Sequence, residues 1–67
     1  MNRKLKAKIF EKFGTQYVFS KTVGVHESHV SRVVQGCRAL TEAERQEWAS
    51  LLGTDSTELW GRDVSNA

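Results

Sequence analysis

The sequence predicts an all-α fold of five short helices. Three observations lead there. Five glycines and no proline divide the 67-residue chain into segments of helical length. Apolar residues within those segments recur at three- and four-residue spacing, without the strict alternation of a half-buried strand. Two segments open with a capping pattern, Thr41-x-x-Glu44 and Asp55-x-x-Glu58.

Taken in order, the first segment places Leu5, Ile9 and Phe13 on one face, with Lys4, Lys6, Lys8, Glu11 and Lys12 around the rest. That is an amphipathic helix stopped by Gly14. The lysines spread around the axis as a solvated face does. Thr15 is the N-cap candidate of a second helix, Gln16 to Thr22, which turns Phe19 and Val23 inward. A third helix, about 27–35, is closed by Gly36 and shares Val30 and Val33 on its inner face. The fourth begins at the Thr41–Glu44 box and presents Trp48, Leu51 and Leu52 to the core before Gly53. The fifth follows Asp55 and brings Leu59 and Trp60 up to Gly61. Residues 1–61 read as one domain, and 62–67 as a polar tail expected to fray.

Composition narrows the function classes. A chain this short hides only about 60% of its unfolded surface, which leaves little room for a deep substrate cleft, and no enzyme is expected. The formal charge is +2. Split after Arg38, however, eight basic and two acidic side chains precede the cut, whereas two basic and six acidic follow it. That asymmetry points to a polyanion held by one end of the domain. One cysteine, Cys37, cannot form an internal disulfide. No apolar run approaches the roughly 18–20 residues of a membrane span, and the basic N-terminus lacks the apolar stretch of an export signal, so a cytoplasmic location is expected. His26 and His29 are three residues apart, but a closed structural metal site needs four ligands at defined spacing. Neither metal nor cofactor is expected, and Cys37 reads as a small loop residue.

The stretch from Gln16 to Gly36 is the most informative. One helix ends at Val23-Gly24, Val25 plugs the junction, and a second helix rich in short polar side chains follows, as in a helix-turn-helix unit. Glu27, Ser28, His29, Ser31, Arg32 and Gln35 form its outer face. All can donate or accept hydrogen bonds, and the small residues near its start suit a major groove about 12 Å wide. Gln16-x-x-Phe19-Ser20-x-x-Val23-Gly24-Val25-x-x-Ser28-x-Val30-Ser31-x-Val33-x-x-Gly36 resembles the helix-turn-helix of the phage repressor and Cro family, the lambda-repressor-like fold. The likeness runs through the fourth and fifth helices and covers roughly residues 3–60.

The resemblance implies a small DNA-binding transcriptional regulator that acts by occupying an operator. A homodimer would sit on a palindromic duplex with its recognition helices in successive major grooves about 34 Å apart. Glu27, Ser28, His29 and Arg32 are then the base-reading residues. Thr15, Gln16, Ser31 and Arg38 would contact phosphate. Two positions depart from the family's habit: His26 stands where a small hydroxyl residue is usual, and Glu27 where glutamine is frequent. A carboxylate at position 27 suits the helix dipole and a bond from cytosine N4, but is repelled by phosphate. Leu59 and Trp60 stand open between a core lid and a dimer contact. An alternative from another class is a protein-interaction module on the same fold, antirepressor- or antitoxin-like, whose acidic second half meets a basic partner.

Overall fold

The computed structural model describes residues 1–61, and the expected tail, 62–67, lies outside them. Five helices follow one another without a strand among the described residues: α1 (Arg3–Phe13), α2 (Gln16–Val23), α3 (Glu27–Gln35), α4 (Glu42–Leu51) and α5 (Ser56–Trp60). None is long and apolar enough to cross a membrane.

Helices of this length are marginal in isolation, so their ends must be satisfied and one face of each buried. Thr15 caps α2 by accepting from the Val18 N–H at 3.2 Å. Thr41 and Glu44 close a reciprocal box on α4: the Thr41 N–H donates to Glu44 Oε1 at 2.9 Å, and the Glu44 N–H to Thr41 Oγ at 3.2 Å. The α1 cap is Asn2, whose side-chain oxygen accepts from the Leu5 N–H at 3.0 Å. Asn2 also ties the bundle together. Its backbone N–H donates to the Val34 carbonyl of α3 at 2.6 Å, and its side-chain amide to the Leu59 carbonyl of α5 at 2.7 Å.

Leu5 and Ile9 from α1, Phe19 from α2, Val30, Val33 and Val34 from α3, Trp48, Ala49 and Leu52 from the α4 end, and Leu59 from α5 make one core. Leu40, in the connection between α3 and α4, joins it. An aromatic file runs through the centre. The Phe19 ring lies 5.1 Å from Phe13 and 5.0 Å from Trp48, edge-on to the latter at 84°. Phe13, Val23, Val25 and Trp60 pack against this core partly buried. Ser20 is buried with its hydroxyl donating 2.7 Å to the Tyr17 carbonyl.

Two expectations need correction. Leu51 is 37% exposed. The buried line of α4 runs through Trp48, Ala49 and Leu52, and Leu51 sits about 100° around the axis from Leu52, on its outer side. Asp55 precedes α5 in extended backbone but its side chain makes no cap; the Glu58 N–H bonds the Asp55 carbonyl instead.

Removing the Phe19 ring costs about 3–5 kcal/mol in a well-packed core. That matches the ~3–5 kcal/mol which a core of this size supplies in total. Phe19→Ala is therefore expected to abolish the cooperative urea transition and most of the helical circular dichroism at 25 °C. Phe19→Leu is expected to keep both, with a lower midpoint.

Candidate functional site

The turn between α2 and α3 is built on Gly24, which sits in the left-handed region at φ 88°, ψ 27°. Its N–H and that of Val25 both donate to the Ser20 carbonyl, at 2.9 and 3.0 Å. A Cβ at Gly24 would meet no atom within 4 Å, so the requirement is conformational rather than one of space. Val25 packs against the core from this turn, as the sequence suggested, and fixes how α3 leaves it.

His26 is the α3 cap. Its Nδ1 accepts from the Ser28 N–H at 3.1 Å and lies 2.9 Å from Ser28 Oγ. An imidazole nitrogen that accepts carries no proton, so this cap places the ring hydrogen on Nε2, which leaves Nε2–H as a donor. An imidazole thus does the work of the small hydroxyl side chain usual at a cap. The Ser28 hydroxyl, expected among the base-facing groups, is held beside that ring.

Three valines hold α3 from below, Val30, Val33 and Val34; the last was not anticipated from spacing alone. Above them Glu27, Ser28, Arg32 and Gln35 are exposed and Ser31 is half-buried, with Gln35 donating to the Ser31 hydroxyl at 3.4 Å. Four of these form a continuous polar surface one helix long, with Glu27 at its positive-dipole end. His29 stands apart from them. It is half-buried, with its ring 6.1 Å from Trp48 and nearly perpendicular to it. It also faces the Glu44 carboxylate electrostatically. This residue packs α3 against α4 as well as bordering the outer face.

Of the other positions singled out, Thr15 is exposed and spends its hydroxyl on the α2 cap, and Gln16 is half-buried at the first position of α2. Arg38 is exposed in the connection after α3, within electrostatic reach of Glu44. Beside the turn opens a groove of ≈ 450 Å³ lined by Tyr17, Ser20, Lys21, Gly24, Val25, His26 and Glu27. Leu59 is buried, on the core side of the open alternative, whereas Trp60 keeps partial exposure with the Arg45 guanidinium 6.0 Å from its ring. Cys37 is exposed, and no group of three or more His, Cys, Asp or Glu among the described residues is placed to hold a metal ion.

Glu44 is the residue near the site whose influence spacing understated. The Thr41 backbone N–H bond holds its carboxyl below the ordinary carboxylate value; desolvation opposes this, and the Thr41 hydroxyl and, more weakly, the charges of His29 and Arg38 add to the lowering. Because the folded value is the lower one, the stabilisation is full above the ordinary glutamate range near pH 4.3. It is lost as pH falls through the depressed folded value.

A family model described as "Protein of unknown function (DUF739)" matches residues 2–59, most of the chain, and the chain belongs to that family. No curated protein and no solved structure matches.

Two measurements check these local assignments. His26→Ala is expected to lower the unfolding free energy by about 1 kcal/mol, and His26→Ser to restore most of it, since serine caps through the same N–H. Urea titrations from pH 6 down to pH 3 are expected to show a smaller acid loss for Glu44→Gln than for the wild-type chain, because glutamine keeps the box but does not titrate.

Proposed function

We propose that this member of the DUF739 family is a sequence-specific DNA-binding regulator, similar to the phage repressors and Cro proteins, that acts by occupying an operator. The observation that supports this most directly is the outer face of α3. Glu27, Ser28, Arg32 and Gln35 stand exposed on a helix anchored by three buried valines and projected by a glycine turn. An anchored helix with an exposed polar face suits base edges better than it suits a pocket-bound ligand, because the major groove admits a whole helix.

Roles follow from position. Glu27, at the start of α3, accepts from cytosine N4; Arg32, one turn on, donates to guanine or to phosphate. Ser28 and Ser31 supply short hydroxyl contacts. Gln16 and Thr15 meet the backbone through the first turn of α2, where orphan N–H groups and the helix dipole favour an anion. Arg38 holds the strand beyond the far end of α3. His29, with its ring against Trp48, serves first to fix the helix and only its outer edge reaches the groove. Two copies on a palindrome give the symmetric operator such a helix requires.

Binding to a duplex from the region flanking the gene is tested by fluorescence anisotropy against salt. With three or four phosphate contacts per subunit, log K of a dimer is expected to fall with log salt at a slope of about −5 to −7. Arg32→Ala combined with Ser28→Ala is expected to remove the preference for the specific duplex. A slope near zero, or a preference that survives the double substitution, contradicts the reading.

A further inference from the structure

The sequence treats the cations of α1 as one solvated set, but the fold sorts them. Successive residues advance about 100° around the axis, which puts Lys4, Ala7, Lys8 and Glu11 on one flank of the buried Leu5–Ile9 line, and Asn2, Arg3 and Lys6 on the other. The first flank faces α5: those four residues line a groove with Glu58 and Leu59, and Lys8 is ion-paired to Glu11 at 3.5 Å. Its two lysines therefore face two carboxylates. The second flank has no acid on it. At its start, the Asn2 N–H bonded to the Val34 carbonyl at 2.6 Å fixes the first turn of α1 against the last turn of α3.

Arg3 is thereby carried to the C-terminal end of the proposed reading helix, one residue from that bond. Arg38 lies just past the same end, two residues after the Gly36 stop. Both are exposed, and neither has an ion-pair partner within 4.0 Å among the described residues. Glu44, a carboxylate within electrostatic reach of Arg38, is already held by the Thr41 N–H. Two unpaired guanidiniums at one end of a polar helix suit bidentate binding of phosphate oxygens.

We infer that Arg3 and Arg38 together form a clamp for a backbone phosphate of duplex DNA at the C-terminal end of α3. This rests on the DNA-binding reading and adds to it a contact from α1. The bond between Asn2 and Val34 fixes the backbone from which Arg3 reaches, so Arg3 contributes from a defined position rather than as part of a diffuse positive field.

The test compares Arg3 with its neighbour Lys4, which has the same charge but lies on the α5-facing flank. Anisotropy of a random-sequence and of a specific duplex is measured against NaCl for the wild-type chain, Arg3→Ala, Arg3→Lys and Lys4→Ala. Circular dichroism of each variant checks that α1 persists. A direct phosphate contact is worth about 0.9 in the slope of log K against log salt. Arg3→Ala is expected to flatten the slope by about that amount per bound protomer and to weaken both duplexes by the same factor. Arg3→Lys is expected to keep the slope, and Lys4→Ala to leave it unchanged. Equal effects of Arg3→Ala and Lys4→Ala, or no effect of Arg3→Ala, overturn the clamp while leaving duplex binding intact. Absence of salt-dependent binding in the wild-type chain is a different result, which overturns the DNA reading and the clamp with it.

Discussion

The contact between Phe19 and Trp48 is the one on which the remaining structure depends. It joins α2 to α4 across the middle of the bundle, edge-on at 5.0 Å, and Phe13 extends it to the end of α1. Aromatic pairs in this geometry add about 0.5–1.5 kcal/mol to the burial of their area, a large share of what so small a core can supply. The same indole also meets the His29 ring. The central packing contact therefore lies directly beneath α3, and the orientation of the polar surface is set by the core rather than by the connecting turn alone.

Around that centre, the helix ends are secured by short side chains acting locally. Thr15, His26, Thr41 and Asn2 each accept a backbone N–H, and Asn2 additionally bonds two other helices. For helices of five to eleven residues these bonds matter more than propensity, since orphan end groups are a large fraction of each helix's backbone. Asn2 also closes the circuit from α1 to α3 to α5. The first and last described helices are held at the same end of α3, although they lie far apart in the chain.

Much of this was legible in the sequence, because glycines, capping boxes and apolar spacing act over a few residues. The start of α2, the limits of α3, the Thr41–Glu44 box and the burial of Phe19, Val30, Val33 and Trp48 follow from such local rules, while α2 runs one residue past the expected Thr22 to Val23. What escaped was decided between helices. Leu51 fits the apolar stripe of α4 by spacing, yet the core takes Ala49, whose small side chain lets the helix approach closely. Val34 is buried at the turn of α3 that the start of α1 bonds, and Leu40 because the α3–α4 connection folds onto the core, which no single-helix pattern encodes. At the site, the exposed positions of α3 were readable from periodicity. His29 was not, because its ring partner Trp48 comes from a helix more than a dozen residues away. The division of the α1 cations into two flanks likewise depends on where α3 and α5 pack.

The asymmetry of charge along the chain thereby acquires a spatial form. Arg3, Arg32 and Arg38 lie on or beside α3 without an ion-pair partner among the described residues, whereas Lys4 and Lys8 are offset by Glu11 and Glu58 in the groove between α1 and α5. Glu27 is the exception, a carboxylate at the start of the polar surface, and its role is the most discriminating feature of the proposed function. The most direct measurement is selection of bound sequences from a random duplex pool, carried out in parallel with the wild-type chain and Glu27→Gln. A reading face on α3 gives a two-fold symmetric motif containing a C·G pair that changes when Glu27 is replaced. Recovery of no motif, or of the same motif with both chains, would contradict it.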